Sequence, residues 1–383
     1  MADLDTLRSM VEETRRFVRE DLIPAEEWVE EHDEIPAHLI QKMAELGYFG
    51  MTIPEEYGGL GLSMFEEASV VAEIGYASPV FRSYFGTSNG VGTLGMLIDG
   101  TEEQRQKYLP RIAKGQLVAS FCLTEPGAGS DAAALTTRAV RDGDHYIING
   151  TKRFTTNSPH AGIFTVFART APPEAKTSGI SAFLVERETP GITVTPHYKK
   201  MGFRGSHTAD VIFEDCRVPA DALLGGKEGV GFKTAMRSLD HARLHMSAVA
   251  TGMSERLVDE GVRYASDRVQ FGKPLAQFQL IQGMLAECEA EALASRSMIE
   301  RVSKMKDDGL PVTKETACCK YFTTEALGRI ADRVLQIHGG YGYIKEYPVE
   351  RLYRDARILR IYEGTSQIQQ LVIAREMLKA HAA

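Results

Sequence analysis

The chain has 383 residues, of which 43% are hydrophobic and 25% charged, with a formal net charge of -8, enough apolar chain for a substantial buried core. That acidic balance gives no electrostatic footprint for nucleic acid, and no apolar run approaches the ~18 residues that span a bilayer, so neither nucleic-acid binding nor membrane insertion is expected. The acidic, amphipathic start Met1-Ala2-Asp3-Leu4-Asp5 is unlike a leader peptide and predicts a cytoplasmic protein; Cys122, Cys216, Cys288, Cys318 and Cys319 form no Cys-x-x-Cys pair and read as free thiols.

Residues from Leu4 to about Leu117 read as helical. Leu4, Leu7, Val11 and Phe17 mark one apolar face before Pro24, and Leu39, Met43 and Leu46 a second ahead of Gly47. A glycine-rich connection, Ile53 to Ser63, precedes a further helical run from Phe65 to Tyr76. Thr101-Glu102-Glu103-Gln104 is a capping-box pattern, and the helix it starts should stop near Lys114-Gly115. From Gln116 short β-type runs take over: Leu117 to Leu123, Thr136 to Val140, His145 to Ile148, Phe154 to Asn157, Ile163 to Ala168, Ile180 to Val185, Ile192 to Thr195 and Ala209 to Phe213. Asp142-Gly143 and Asn149-Gly150 both predict hairpin turns. After Pro219 the helical period returns over Val230 to Asp267, Leu275 to Met305, Thr313 to Ile337 and Pro348 to Ala382, as in an antiparallel bundle. The pattern alone supports an α+β chain.

One stretch near the end stands out, Arg351 to Gln370. Four arginines lead to Ile361-Tyr362-Glu363-Gly364-Thr365-Ser366-Gln367. Gly364 lets the backbone leave the helix, and Thr365 and Ser366 suit the start of another. A carboxylate, Glu363, is thereby held at a helix break. Elsewhere Gly127-Ala128-Gly129-Ser130-Asp131-Ala132 matches Gly-x-Gly-x-x-Ala, but the Asp142-Gly143 turn follows too soon for a crossover helix, which argues against a nicotinamide dinucleotide site. His207, His241 and His338 have no metal-ligand spacing and read as packing or loop residues, so no metal is expected.

Ile361-Tyr362-Glu363-Gly364-Thr365-Ser366-Gln367-Ile368-Gln369 resembles a signature of the acyl-CoA dehydrogenases, as does Leu123-Thr124-Glu125-Pro126-Gly127-Ala128-Gly129-Ser130-Asp131. Ile53 to Gly59, Ile148 to Lys152, Phe213 to Pro219, Arg268 to Gly272 and Gln336 to Gly340 also resemble family segments, in the family's order. The resemblance implies an N-terminal helical domain (1–119), a middle antiparallel β domain (120–222) and a C-terminal four-helix bundle (223–383). It implies FAD held along Phe121, Leu123, Thr124, Gly129 and Ser130 and against Phe154, Thr155 and Thr156, with Phe154 where many relatives have Trp. Arg268, Gln270, Phe271, Gln279, Gln336, Gly339, Gly340, Thr365 and Gln367 resemble the remaining cofactor contacts. Because relatives supply the Gln336 to Gly340 loop from a neighbouring subunit, a homo-oligomer is expected, a tetramer.

For an acyl-CoA substrate the resemblance points to Ser130, Asp240, Arg243, Tyr362 and Gly364. Some relatives carry the catalytic Glu where this chain has Ala242, so Glu363 is the implied base. The reaction implied is α,β-desaturation to a trans-2-enoyl-CoA with hydride transfer to flavin N5 and electrons passed to an electron-transferring flavoprotein, as in fatty-acid β-oxidation. Phe81-Arg82-Ser83 resembles the segment with which glutaryl-CoA dehydrogenases hold a distal carboxylate, so Arg82 is either the anchor for a dicarboxyl- or sulfinoacyl-CoA or an exposed helix Arg paired with a Glu. A non-catalytic acyl-CoA-binding protein is the reading from another class.

Overall fold

The computed structural model describes residues 4–382; Met1 to Asp3 of the acidic start and Ala383 lie outside the described residues, as does the Leu4 side chain. The N-terminal helices are α1 (Leu4–Phe17), α2 (Ile23–His32), α3 (Ala37–Glu45), α4 (Met64–Gly75), α5 (Val80–Asn89), α6 (Val91–Asp99) and α7 (Glu102–Ala113). Leu7 and Phe17 are buried as their spacing predicts. Pro24 does not end the first helix as expected. The chain stays helical through it by way of one π turn, Val18–Leu22, in which Ile23 N donates to Val18 O, and Pro24 then falls in the first turn of α2, where its missing N–H is tolerated. The Thr101 capping box forms, its hydroxyl accepting from Gln104 N and Gln104 Oε1 from Thr101 N.

The β layer comprises β1 (Ala119–Cys122), β2 (Arg138–Asp142), β3 (His145–Thr156), β4 (Ile163–Arg169), β5 (Ile180–Glu186), β6 (Ile192–Val194) and β7 (Thr208–Pro219). Its order is β1-β4-β2-β3-β7-β6, with β5 on β4. Most pairs are antiparallel, but β1 and β2 run parallel to β4, which corrects the wholly antiparallel expectation. β1 enters from the helical part and is separated from β4 by a hairpin, so the two are free to align. Asp142-Gly143 makes the expected hairpin, Asp142 pairing with His145. Asn149-Gly150 does not. It lies inside β3 at a bulge, where the Asn149 amide exchanges hydrogen bonds with Asp215 and a Cβ on Gly150 would fall 2.3 Å from Thr137 Oγ1.

The C-terminal part has α8 (Gly231–Asp267), a two-stranded β8 (Val269–Gln270) and β9 (Lys273–Pro274), α9 (Gln279–Asp307), α10 (Thr313–His338), α11 (Pro348–Ala356) and α12 (Ser366–Ala382). Helices α8, α9, α10 and α12 form the bundle. One apolar core, from Phe17 and Leu39 to Leu327 and Leu359, joins the bundle to α1–α5, whereas the β layer has its own core around Phe164, Phe183 and Phe213. Two glycines bring α4 and α8 into close contact: a Cβ on Gly252 would lie 1.9 Å from Ala72 O, and one on Gly75 2.6 Å from Val249 O. That crossing seats the buried polar groups of α4 against those of α8. No helix is long and apolar enough to cross a membrane among the described residues.

Candidate active site

The helix break read in the sequence is present. A short 3₁₀ turn (Arg357–Arg360) ends the run of arginines, Glu363 takes φ 54° and Gly364 φ 87°, and α12 begins at Ser366. Thr365 Oγ1 accepts from Ile368 N, while Gln369 Nε2 donates to the carbonyls of Glu363 and Gly364, so the break is pinned from both sides. A non-glycine residue in the left-handed region is strained. Here the strain turns the Glu363 side chain inward: Oε2 is buried and has no hydrogen-bond partner. Burial pushes the carboxyl above its usual range, and the charges of Arg82, Lys320 and Arg243 oppose that shift without cancelling it. Tyr362 beside it packs edge-on to Phe203, its hydroxyl 3.5 Å from Met246 Sδ.

Three cations from three helices face that acid. Arg243 on α8 donates to Asp240 Oδ1 at 2.7 Å, and its Nε is buried without a partner. Lys320 on α10 is completely buried and donates to the Gly364 carbonyl at 2.7 Å; burial lowers its ammonium to about 8 although Glu363 favours the charge. Arg82 on α5 is 7% exposed and donates from Nε to His245 at 2.6 Å, not to a Glu, so the exposed ion-pair alternative does not hold. Lys320, Glu67 and His245 were not singled out in the sequence. Their only linear signal is a charged or polar residue within an apolar stripe.

On the β side, the loop from Leu123 to Ser130 is shaped by a buried ion pair. Lys152 Nζ, on β3, reaches Glu125 Oε1 at 2.7 Å and the Leu123 carbonyl at 3.2 Å, and Glu125 also accepts from Thr136 N, Thr136 Oγ1 and Thr137 N. Burial disfavours charge on Glu125, but Lys152 and the threonine donors outweigh it and hold the carboxyl at about 2. Arg153 N ties Thr124 O to the same strand. Gly127 and Gly129 face open space, where a Cβ would meet nothing within 4 Å. Between Lys152 and Thr155 the β3–β7 register slips. At that bulge Phe154 takes φ 56° and stands 61% exposed, its ring 5.3 Å from Tyr198. An aromatic ring presented outward beside an open loop of backbone donors, with Thr156 partly exposed next to it, suits a flat, acceptor-rich ring system. Phe121 is partly buried against Phe167, and Thr155 is buried beside Cys122.

The other expected cofactor residues fall elsewhere. Arg268, Gln270, Gly339 and Gly340 line one cleft of about 390 Å³ with Tyr264 and Tyr341, the Arg268 guanidinium lying 4.9 Å from the Tyr341 ring centroid. Such a pairing of a planar cation with aromatic faces suits a phosphate and a purine. Phe271 is 93% exposed, and Gln279, Gln336, Gln367 and Ser130 lie on the surface. No hydrogen bond or ion pair joins this cleft to the Leu123–Ser130 loop among the described residues.

Two of the histidines read as packing or loop residues make specific polar contacts. His241 meets Glu67 and Lys306, and His207 lies between His160, at 2.8 Å, and the Asp33 carbonyl, at 2.7 Å. One donor atom each from Asp33, His197 and His207 falls within 4.8 Å of the others, but the His207 nitrogens are taken up by His160 and the backbone. Of the cysteines, Cys318 is half-buried and the other four are buried, all free.

Comparison with known proteins fits this geometry. Family models for the N-terminal, middle and C-terminal domains of acyl-CoA dehydrogenase match residues 5–116, 120–216 and 229–378. The chain is 44% identical to acryloyl-CoA reductase (NADH) of Anaerotignum propionicum over 95% of this chain and 92% of that protein. It is 40% identical to the CarC subunit of the caffeyl-CoA reductase-Etf complex of Acetobacterium woodii over 92% of each. A solved acyl-CoA dehydrogenase from Bacillus anthracis, complexed with FAD, superposes with a TM-score of 0.92 at 34% identity, covering all of this chain and 68% of that one. The chain therefore belongs to the acyl-CoA dehydrogenase family and is an FAD-dependent oxidoreductase acting on acyl-CoA.

Proposed function

We propose that the chain removes hydrogen from the α and β carbons of an acyl-CoA thioester to give a trans-2-enoyl-CoA, with Glu363 as the base. The observation that carries this is the buried, unpartnered Oε2 of Glu363 at a strained helix break. A carboxylate without a hydrogen-bond partner is available to a C–H proton. Its burial raises its proton affinity toward that task, and three surrounding cations keep it ionisable. The Glu363 N–H donates to no group among the described residues, so it is free to polarise the thioester oxygen as enolate charge develops. Bound FAD would supply the two-electron acceptor for the β-hydride. Residues Leu123, Thr124, Gly129, Phe154, Thr155 and Thr156 would hold its ring, and Arg268, Gln270, Gly339 and Gly340 its pyrophosphate and adenine end. Asp240 and Arg243 would meet the acyl and pantetheine portion, and Ser130 the CoA arm.

Two of the relatives above are named reductases, and the same base returns the proton when the reaction runs backwards. Glu363→Gln tests the assignment in either direction. The variant should keep the yellow flavin and lose ~10²–10⁴ of the rate of anaerobic bleaching by acyl-CoA, the usual contribution of a general base. Bleaching at the wild-type rate would refute it.

The burial of Arg82 favours a second, narrower reading. A guanidinium sealed beside the acid is unwelcome near a plain alkyl chain and suits a distal carboxylate or sulfinate. Comparing succinyl-, glutaryl-, butyryl- and octanoyl-CoA as reductants decides between them. The Etf complex of one relative supports an electron-transferring flavoprotein as the electron acceptor. The exposed apolar side chains of Phe271 and Leu280 support a homo-oligomer, a tetramer, which light scattering would measure. The cytoplasm is the proposed location.

A further inference from the structure

Arg82 is one end of a chain of five ionisable groups drawn from four helices, buried from Arg82 through His245 to Glu67 and half-buried at His241 and Lys306. Glu67 on α4 is fully buried, and its two oxygens face two imidazoles spaced i,i+4 on α8. His245 Nδ1 lies 2.5 Å from Oε1, and His241 Nε2 lies 2.7 Å from Oε2. Beyond each imidazole sits a cation: Arg82 Nε is 2.6 Å from His245 Nε2, and Lys306 Nζ, on α9, is 3.1 Å from His241 Nδ1. Asn89 Nδ2 adds a bond to Oε1 at 2.9 Å. The protons follow from the partners. Arginine only donates, so His245 Nε2 must offer its lone pair, and its proton resides on Nδ1, where Glu67 accepts it.

We propose that His245 is a positioning residue, held by Glu67 in the tautomer that accepts from Arg82 Nε, and that it thereby fixes the Arg82 guanidinium toward Glu363. The proposal rests on the reading of Glu363 as the base and of Arg82 as facing the acyl group. Three further observations support it. Burial, with the Arg82 charge next, lowers His245 to about 4, so it is a neutral acceptor at ordinary pH. Gly86, one turn beyond Arg82, makes the room: a Cβ there would fall 2.6 Å from Arg82 Nε and Cζ. The terminal nitrogens of Arg82 donate to no group among the described residues, leaving them for a ligand anion.

The test compares kcat/KM for glutaryl-CoA with that for butyryl-CoA, and records the acidic limb of the butyryl-CoA pH profile. Groups facing Glu363 are Arg82 from α5, Arg243 from α8, Lys320 from α10 and the adjacent Tyr362. His245→Leu should lower the glutaryl-to-butyryl ratio about 10-fold, as expected when disorder of the guanidinium removes a charge-assisted hydrogen bond to the substrate, and move the limb to higher pH as the largest opposing charge on Glu363 drifts away. His245→Gln, which keeps an acceptor for Arg82 and a donor for Glu67, should stay within about threefold of wild type on both measures. Equal losses in the Leu and Gln variants would overturn the proposal, as would a wild-type ratio and limb in His245→Leu when Arg82→Ala changes both. Should His245→Leu fail to retain FAD, Gly86→Ala displaces Arg82 without touching the histidines, and it must show the same pair of changes; wild-type values there would also overturn it. If Arg82→Ala itself alters neither measure, the reading of Arg82 beneath the proposal is what has failed.

Discussion

Replacing Lys152 with Met removes one ammonium and tests how the flavin-side loop is built. Lys152 is completely buried and Glu125 is 4% exposed, so water cannot take the place of the missing partner. The substitution deletes the 2.7 Å bond to Glu125 and the 3.2 Å bond to the Leu123 carbonyl, leaving a buried carboxylate with Thr136 and Thr137 as its donors. Stripping one partner from a buried ion pair costs about 3–5 kcal/mol, and the remaining three donors place the expected loss near the lower figure. The sign with pH is fixed. In the wild type Glu125 is held at about 2, below the ~4.3 of an unfolded Glu, so its contribution is complete above that value and fades as pH falls toward 2. In the variant the same carboxyl is buried without its cation and its proton affinity rises, so the deficit should be largest at neutral pH and shrink on acidification. Urea unfolding of the FAD-loaded protein over a pH series reads the deficit, and FAD titration should show weaker binding because Leu123 is no longer anchored. A loss below about 1 kcal/mol, the range of exposed pairs, or a deficit that grows on acidification, would refute the account.

Lys320→Met removes a cation that favours charge on Glu363. Glu363 should rise further, and because the base works only when deprotonated, the acidic limb of kcat/KM should move to higher pH; a limb that stays in place would argue that Lys320 acts only through its bond to Gly364 O. Gly364→Ala puts a side chain at φ 87° with its Cβ 2.6 Å from Gln369 Nε2. Stability should fall by ~1–2 kcal/mol, and kcat should fall about 10- to 100-fold from a misplaced Glu363 while the bound flavin spectrum stays unchanged.

The sequence by itself determined the order of the parts and the candidate acid. Periodicity placed the helices of both ends and most of the strands, because amphipathic spacing and turn chemistry are local properties. The Glu363-Gly364-Thr365 break was legible for the same reason: a glycine and a capping hydroxyl act on their own few residues. Local signals misled where a distant partner intervened. Asn149-Gly150 gave up its turn to Asp215 and Thr137 across the sheet, and Pro24 was tolerated in the first turn of α2, after a π turn, in a helix packed on the core.

Only the tertiary structure decided what surrounds the acid. Glu67, His245, Lys306 and Lys320 come from four helices spread over some two-thirds of the chain, and each alone looks like a solvated or buried polar residue. The meeting of Glu67 with His245 depends on the glycine-to-backbone contact of α4 with α8, which no linear spacing records. Burial then does what sequence cannot express: it removes water as the alternative partner, so Glu67, His245 and Arg82 pair with one another across three helices, and the proton positions follow from that pairing.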